Sequence, residues 1–194
     1  MKSFYPPTTR AKIYRDIPDS QWNNWRWQLS NRLNSIEDFE KVLKLTEGER
    51  KALGTPGLFR VDVTPYFISL VDPNDPNDPI RRQIIPTERE MVSFDGQMDD
   101  SLHEDDMSPV PGIVHRYPDR VLMLVTNQCA TYCRYCTRSR MVGESGANFS
   151  RADHEKMLDY IRRTPQVRDV LLSGGDPFTM APKVLENLLR KLRD

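Results

Sequence analysis

The sequence predicts an α/β protein, with a helical N-terminal region followed by the first strand–helix units of a partial, incomplete α/β barrel. Before Pro111, apolar residues recur at helical spacing behind helix-capping residues. After Pro111, apolar strands alternate with helices, which is typical of parallel sheets and barrels. We therefore expect two domains: residues 1–111, a helical region with an acidic and proline-rich linker, and residues 112–194, the truncated start of the barrel.

The composition is that of a globular protein without excess charge. The 194 residues contain 28 Lys and Arg and 28 Asp and Glu, so nothing favours nucleic acid as a partner. No apolar run approaches the roughly 18 residues that cross a bilayer, and the first residues lack the apolar core of a signal peptide. Three clustered cysteines fit a reducing compartment better than a disulfide scaffold. We predict a cytoplasmic protein that binds neither nucleic acid nor a membrane.

Helix starts in the first region are predicted from capping residues and apolar spacing. One helix is expected to begin at Asp19 or Ser20, with a single apolar stripe formed by Trp22, Trp25, Leu29 and Leu33. Three later starts are predicted from caps at Ser35, at Thr46 in an S/T-x-x-E capping box, and at Thr64 before Pro65. The run after Pro65 could equally form a short strand.

Two polar stretches are predicted to be irregular. The repeat Asp72–Pro79 alternates Asx residues, which cap turns, with prolines, which remove backbone donors. Residues 95–111 are acidic, with glycine or proline near both ends. We expect this second stretch to be a linker or a long surface loop.

The second region reads as strand, loop, helix, strand, turn and helix. The two strands are predicted at residues 120–125 and 167–172, and the two helices at residues 150–163 and from Pro182 onwards. Two strands cannot close a barrel. We therefore expect the remaining strands to come from a longer protein, of which this chain is a fragment, rather than from a partner.

The chemistry is predicted to lie at the loop after the first of these strands. Its three cysteines, Cys129, Cys133 and Cys136, are the only ones in the sequence and are spaced C-x3-C-x2-C. A structural zinc site needs four closed ligands, and inert buried cysteines need no such clustering. Three thiolates suit a four-iron cluster that leaves one iron open to a small molecule. An iron–sulfur site is the favoured interpretation, and zinc and inert cysteine remain alternatives.

Two motifs together resemble the radical S-adenosylmethionine enzymes. One is the cysteine motif with Tyr135 before its last cysteine, and the other is the turn Gly174-Gly175-Asp176 after the next strand. Further stretches are similar to the lysine 2,3-aminomutase family: Ser108-Pro109-Val110-Pro111-Gly112, His115-Arg116-Tyr117-Pro118-Asp119-Arg120, and residues 22–28, 72–79, 136–138 and 164–176. The resemblance runs from about residue 13 to the end, and implies the N-terminal portion of such an enzyme, with a radical-SAM α/β barrel.

The resemblance also implies roles for individual residues. The cluster ligands would be Cys129, Cys133 and Cys136. S-adenosylmethionine would be bound by Tyr135, Gly174, Gly175 and Asp176. Arg116 and Arg120 would hold the phosphate of pyridoxal 5′-phosphate, and Arg138 the substrate carboxylate. In the family, the lysine that bonds pyridoxal phosphate lies in a later segment, so no catalytic residue is assigned here.

The implied reaction is that of an isomerase. A radical S-adenosylmethionine aminomutase moves the α-amino group of an L-amino acid to its β-carbon, through a 5′-deoxyadenosyl radical and a substrate held on pyridoxal phosphate. L-Lysine is the favoured substrate, with glutamate and arginine as alternatives. The partners implied are an electron donor such as a flavodoxin or ferredoxin and, at full length, further copies of the chain. The competing functions are an iron–sulfur carrier or sensor and a zinc-bearing interaction module.

Overall fold

The structure is a computed structural model that describes residues 10–143 and 148–193. It is mixed α/β, with a helical N-terminal region and a small open three-stranded sheet. Its described residues form two compact units. The first comprises residues up to Asp95 together with Ala130–Cys136, and the second comprises Gly96–Cys129 together with the residues from Thr137 onwards. The predicted division between residues 111 and 112 stays a prediction.

The first unit is built from short helices around an apolar core. Its described α-helices are α1 (Asp19–Trp22), α2 (Trp25–Ser30), α3 (Ile36–Glu40), α4 (Glu47–Leu53), α5 (Pro65–Ile68) and α6 (Arg81–Ile84). Two 3₁₀ helices, Lys12–Tyr14 and Glu88–Met91, accompany them. The side chains at the centre of the core include Phe39, Val63, Ile68 and Ile84. Helices this short are marginal alone, so their stability comes from burying these side chains together.

The three predicted helix caps are confirmed. The Ser35 side chain accepts a hydrogen bond from the N–H of Asp38 at the start of α3. Thr46 and Glu49 form the reciprocal capping box of α4, with donor–acceptor distances of 3.2 and 2.7 Å. Thr64 caps α5, which is a helix rather than the alternative strand. Each cap supplies an acceptor for backbone N–H groups that a helix start leaves unpaired.

The single helix predicted from Asp19 to Leu33 is wrong. The chain instead forms α1 and α2, with Asn24 between them accepting a hydrogen bond from the N–H of Arg26. Asn favours caps over helix interiors because its side chain bonds nearby backbone groups. Leu33 lies outside both helices and pairs with Val63 in an isolated β-bridge.

The Asx–proline repeat is irregular, as predicted. The carboxylates of Asp72 and Asp75 each accept a hydrogen bond from the N–H two residues further on. Asp78 accepts from the N–H groups of Ile80 and Arg81, at 2.9 and 2.8 Å, just before α6. The repeat therefore forms successive Asx turns, and the last of them lies at the start of α6.

A buried ion pair that the sequence does not reveal ties α6 to α4. The Arg81 guanidinium forks onto the Glu49 carboxylate through two bonds of 2.7 Å, and donates to the carbonyl of Lys44 at 2.8 Å. The side chains of Arg81 and Glu49 are only 1% and 4% exposed. Such a pair is stable inside a protein only when its remaining hydrogen-bonding groups are also satisfied.

The second unit contains the sheet. Its strands are β1 (Ile113–Tyr117), β2 (Arg120–Thr126) and β3 (Asp169–Gly174), and its α-helices are α7 (Arg151–Arg162) and α8 (Pro182–Arg193). The sheet order is β1-β2-β3, with β2 and β3 parallel as predicted. The antiparallel strand β1 was not predicted. None of the helices in the described ranges has both the length and the apolar character needed to span a bilayer.

The two faces of the sheet differ in character. One face packs against α7 and α8 through a core that includes Ile113, Val121, Met123, Val125, Met157 and Leu188. Because side chains alternate along a strand, the intervening positions lie on the other face. These are Val114 and Arg116 in β1, Arg120 and Leu122 in β2, and Leu171 in β3.

Asp119, in the turn between β1 and β2, also holds the start of β3. Its carbonyl accepts hydrogen bonds from the N–H groups of Arg168 and Asp169, at 2.9 and 3.2 Å. Its carboxylate pairs with Arg168 at 3.0 Å and with Arg120 at 3.2 Å. The Arg120 hydrogen bond is the main reason that the pKa of Asp119 lies below its usual range.

Candidate cofactor-binding site

The three cysteines lie at the end of β2 and in the loop that follows. Cys129 belongs to the second compact unit, and Cys133 and Cys136 belong to the first. All three are half-buried and carry thiols rather than disulfides. Within the described ranges, no three His, Cys, Asp or Glu side chains are grouped in the geometry of a metal site. Reduced, soft sulfur donors are nevertheless the chemistry that an iron–sulfur cluster requires.

The environment of Cys133 favours the neutral thiol. Burial, reinforced by the nearby Cys136, raises the pKa of Cys133 above its usual value, although Tyr135 and Arg134 act in the opposite direction. A bound metal keeps its thiol ligands deprotonated. The surrounding protein by itself therefore does not favour the thiolate of Cys133.

Arg134, to which the sequence assigns no role, fixes the second half of the loop within the first unit. Its guanidinium bonds the Glu90 carboxylate, with Nη2 2.6 Å from Oε2, and donates to the carbonyls of Phe59 and Arg60 at 3.1 and 3.0 Å. The backbone N–H of Arg134 donates to the carbonyl of Gln83 at 2.8 Å. The Arg134 side chain is only 5% exposed. A local motif could not reveal this, because every partner is distant in sequence.

The aromatic neighbours of the cysteines are placed differently. Tyr132 is buried, its N–H donates to the carbonyl of Asp62, and its ring meets Phe59 edge-on. Tyr135, which the resemblance places at S-adenosylmethionine, is 67% exposed, with its hydroxyl 3.4 Å from Gln83 Oε1. Tyr135 is therefore not a core residue here, and its proposed ligand contact stays a prediction.

The glycine turn after β3 lies directly against the backbone that leads to Cys129. The N–H groups of Gly175 and Asp176 donate to the carbonyls of Thr126 and Gln128, at 2.6 and 2.7 Å. A Cβ on Gly174 would lie 2.3 Å from the Thr126 carbonyl oxygen, and one on Gly175 would lie 2.3 Å from that of Gln128. Both positions therefore exclude a side chain.

Asp176 caps the short 3₁₀ helix Pro177–Thr179. Its carboxylate accepts a hydrogen bond of 2.9 Å from the N–H of Phe178. The geometry thus fits the helix-cap alternative for Asp176. Its contact with S-adenosylmethionine stays a prediction, as do those of Gly174 and Gly175.

The three arginines expected at the phosphate and the carboxylate line one cavity. Arg116, Arg120 and Arg138 contribute to a cavity of about 240 Å³ in the second unit. Apolar walls are supplied by Leu102, Met107, Val114, Leu122 and Leu171. Cationic groups above apolar walls suit an aromatic ring that carries a phosphate. The residues present therefore fit pyridoxal phosphate, and the three roles stay predictions.

Glu104 also lines this cavity, and nothing in the sequence indicated that it would. Arg138 Nε lies 3.0 and 3.1 Å from the two Glu104 carboxylate oxygens. Glu104 is only 6% exposed, whereas the rest of residues 95–111, predicted to be a linker or a long surface loop, is exposed or partly exposed. The pairing spans 34 positions in the sequence, and an acidic run offers no local signal for it.

One protein family matches the C-terminal part of the chain. Residues 118–194 match the family described as a 4Fe-4S single cluster domain. The matched segment begins at the turn before β2 and contains all three cysteines and the glycine turn.

Curated relatives cover nearly the whole chain. It is 48% identical to the L-lysine 2,3-aminomutase of Clostridium subterminale over 186 residues, which are 95% of this chain and 45% of the relative. It is 44% identical to that of Bacillus subtilis (strain 168) over 194 residues, 98% of the chain and 41% of the relative. The glutamate 2,3-aminomutase of Clostridioides difficile (strain 630) is 40% identical over 178 residues, 91% of the chain and 42% of the relative.

The chain spans less than half of the length of these relatives. The matched residues nonetheless extend over both of its compact units, because the matches cover more than nine-tenths of the chain. With its 4Fe-4S domain of the radical S-adenosylmethionine type, the chain belongs to the lysine 2,3-aminomutase family.

Proposed function

We propose that the protein containing this chain is a radical S-adenosylmethionine aminomutase that moves the α-amino group of an L-amino acid to its β-carbon. The observation that carries the proposal is the cavity lined by Arg116, Arg120 and Arg138, in a chain homologous to aminomutases. Because the chain spans 45% of the first relative, the activity is proposed for the whole protein.

In this proposal, Cys129, Cys133 and Cys136 would hold a 4Fe-4S cluster, which would bind S-adenosylmethionine. Bound together, the cluster and S-adenosylmethionine would supply the radical chemistry, and pyridoxal phosphate would supply a conjugated ring for the amino-acid substrate. The glycine turn would bind S-adenosylmethionine, as its resemblance to the glycine-rich turn of the radical S-adenosylmethionine enzymes implies, and its position directly against the backbone before Cys129 supports this assignment.

The cavity positions the substrate. Arg116 and Arg120 bind the phosphate of pyridoxal phosphate, and Arg138 binds the substrate α-carboxylate through its guanidinium. Leu122 and Leu171 contribute apolar walls against which a bound ring would lie.

L-Lysine is the proposed substrate, with L-β-lysine as the product. The named relatives with the higher identities are lysine aminomutases, at 48% and 44%, whereas the glutamate aminomutase is at 40%. Arg138 would serve lysine, glutamate or arginine equally, because each carries an α-carboxylate. The choice therefore rests on residues that read the substrate side chain.

The proposal also includes the partners and the compartment. A one-electron donor such as a flavodoxin or ferredoxin would reduce the cluster, and the full-length protein would form a homo-oligomer. A reducing cytoplasm would keep the three cysteines available as thiols.

The test is anaerobic reconstitution followed by cleavage of S-adenosylmethionine. We expect about four irons per chain. Addition of dithionite and S-adenosylmethionine should then yield 5′-deoxyadenosine. Cys133→Ala should abolish cleavage, whereas Ser139→Ala, at an exposed position close by, should leave it unchanged. Cleavage that survives Cys133→Ala would refute the ligand assignment.

The same experiment separates the competing functions. Bound iron without 5′-deoxyadenosine would indicate an iron–sulfur carrier or sensor. Stoichiometric zinc without iron would indicate an interaction module. For the full-length protein, conversion of L-lysine but not L-glutamate to the β-amino acid would support the proposed substrate.

A further inference from the structure

The contact between Glu104 and Arg138 is directional. Arg138 Nε lies 3.0 Å from Glu104 Oε2 and 3.1 Å from Oε1, and Nη2 lies 2.5 Å from Oε1. One edge of the guanidinium, formed by Nε and Nη2, is therefore occupied by a carboxylate. A planar guanidinium held along one edge has a fixed orientation.

The remaining edge of Arg138 is available to a ligand. Guanidinium has five N–H donors, and those on Nη1 have no hydrogen-bond partner among the described residues. Arg138 lines the same cavity as Arg116 and Arg120. A ligand carboxylate can thus be accepted at Nη1 without displacing Glu104.

The burial of Glu104 indicates that this pairing is not a surface contact. Glu104 is 6% exposed, and the cavity that it lines also has Leu102, Met107 and Leu122 in its walls. A buried carboxylate needs a paired cation and further hydrogen bonds. Arg138 is the cation that the structure provides, at a side-chain exposure of 19%.

The neighbouring ion pair provides a contrast. Arg140 pairs with Asp100 and Asp105 at 3.2 and 2.9 Å, and the Asp105 side chain is 73% exposed. Neither Arg140 nor Asp105 lines the cavity. Asp105 thus has the same charge, one position further along the chain, but forms its ion pair with Arg140 rather than with Arg138.

We propose that Glu104 is a positioning residue that fixes the Nε–Nη2 edge of Arg138, so that Nη1 is presented to the α-carboxylate of the amino-acid substrate. The identity of the ligand rests on the proposed function, whereas the Glu104–Arg138 fork does not. Removing the carboxylate leaves Arg138 charged but free to change rotamer. Removal of the Glu104 carboxylate should therefore weaken the binding of the amino-acid substrate and leave the binding of pyridoxal phosphate unchanged.

The first test needs no cofactor. In ¹H–¹⁵N spectra of the 194-residue chain, the Arg138 Nε–H signal is assigned by its loss in Arg138→Lys. We expect its hydrogen exchange to be at least about tenfold slower than that of exposed arginines, because it donates to a buried carboxylate. Glu104→Gln should remove this protection, Glu104→Asp should retain part of it, and Asp105→Asn should leave it unchanged. Circular dichroism confirms that each variant is folded.

The second test uses the full-length holoenzyme. Glu104→Gln should raise the dissociation constant and the KM of the amino acid about tenfold, since one charged hydrogen-bonding partner is lost. The dissociation constant of pyridoxal phosphate should stay unchanged, and Asp105→Asn should match the wild type in both measurements. Partial recovery in Glu104→Asp is expected, because that variant keeps the carboxylate.

The outcomes separate the two proposals. If the wild type binds and converts the amino acid but Glu104→Gln has the same affinity or the same Nε–H exchange, the positioning role is refuted and the proposed function stands. If the wild type neither binds an amino acid nor cleaves S-adenosylmethionine, the proposed function fails. Slow Nε–H exchange would then identify Glu104 as a structural partner of Arg138 only, which also refutes the positioning role.

Discussion

The Arg134 guanidinium rests on the carboxylate of Glu90, 44 positions earlier in the sequence, with Nη2 2.6 Å from Oε2. The same group donates to two backbone carbonyls between α4 and α5, so five hydrogen bonds to three partners converge on one side chain that is only 5% exposed. The residue lies between two of the three cysteines. The helical unit thus holds the segment that carries Cys133 and Cys136.

Arg134→Lys should reduce iron incorporation into the reconstituted chain to roughly half of the wild-type amount or less, because an ammonium cannot reproduce the planar fork of a guanidinium. The measurement is iron and sulfide content after anaerobic reconstitution. Arg162→Lys is the control, since Arg162 is an exposed arginine on α7 that pairs with Asp159. Equal iron content in the two variants would contradict the anchoring role of Arg134.

Breaking the buried pair between Arg81 and Glu49 should destabilise the first unit. Arg81→Met leaves the Glu49 carboxylate buried and unpaired, and we expect the free energy of unfolding to fall by about 3–5 kcal/mol. Urea denaturation followed by tryptophan fluorescence reports on this unit, which contains Trp22, Trp25 and Trp27.

The matched control for that variant is Arg50→Met. Arg50 pairs with Glu40 at the surface, where the two side chains are 53% and 36% exposed. Exposed pairs contribute about 0–1 kcal/mol, so the control should be close to the wild type. A loss as large as that of Arg81→Met would show that the effect is not one of burial.

The same ion pair should make stability depend on acid pH. Burial alone would raise the pKa of Glu49, but hydrogen bonds from Arg81 and Thr46 outweigh it and hold this pKa below the ordinary value of 4.5. A lowered pKa in the folded state means that the contribution is complete above pH 4.5 and is lost as the pH falls towards the folded pKa. Unfolding free energies across this range should therefore fall less steeply in Glu49→Gln than in the wild type, and parallel curves would refute the assignment.

Gly174→Ala should lower the stability of the second unit by more than the cost of placing an alanine at a positive φ. Gly174 and Gly96 have φ values of +104° and +90°, but only at Gly174 would a Cβ meet a backbone atom, 2.3 Å away at the Thr126 oxygen. We expect Gly174→Ala to lose about 1–3 kcal/mol more than Gly96→Ala, because a backbone oxygen cannot move aside as a side chain can. Urea unfolding of both variants gives this difference, and equal losses would show that strain in φ is the whole effect.

Local signals in the sequence were sufficient for much of the fold. The capping box of Thr46 and Glu49, the start at Thr64 and Pro65, and the parallel strands β2 and β3 each follow from residues that are close together in the chain. The cysteine spacing pointed to the iron–sulfur domain for the same reason. Patterns of this kind depend on neighbours at i+2 to i+4, which the sequence displays directly.

Pairings between distant residues were not accessible in that way. The partners of Arg81, Arg134 and Arg138 are 32, 44 and 34 positions away, and charge runs give no indication of which acid meets which base. The apolar stripe from Trp22 to Leu33 predicted one helix, because the spacing of tryptophans and leucines outweighed two consecutive asparagines. The capping preference of Asn24 decided the structure instead.

Asp119 determines the register in which β3 pairs with β2. By bonding the N–H groups of residues 168 and 169, it sets Arg120 opposite Asp169, and with it the pairing of β2 and β3. A slip of one residue would send Leu172 to the cavity and Leu171 towards the helices, since side chains alternate along a strand. The glycines would leave their places against Thr126 and Gln128. By fixing the register of β3 against β2, Asp119 thus determines which backbone groups before Cys129 the glycine turn contacts.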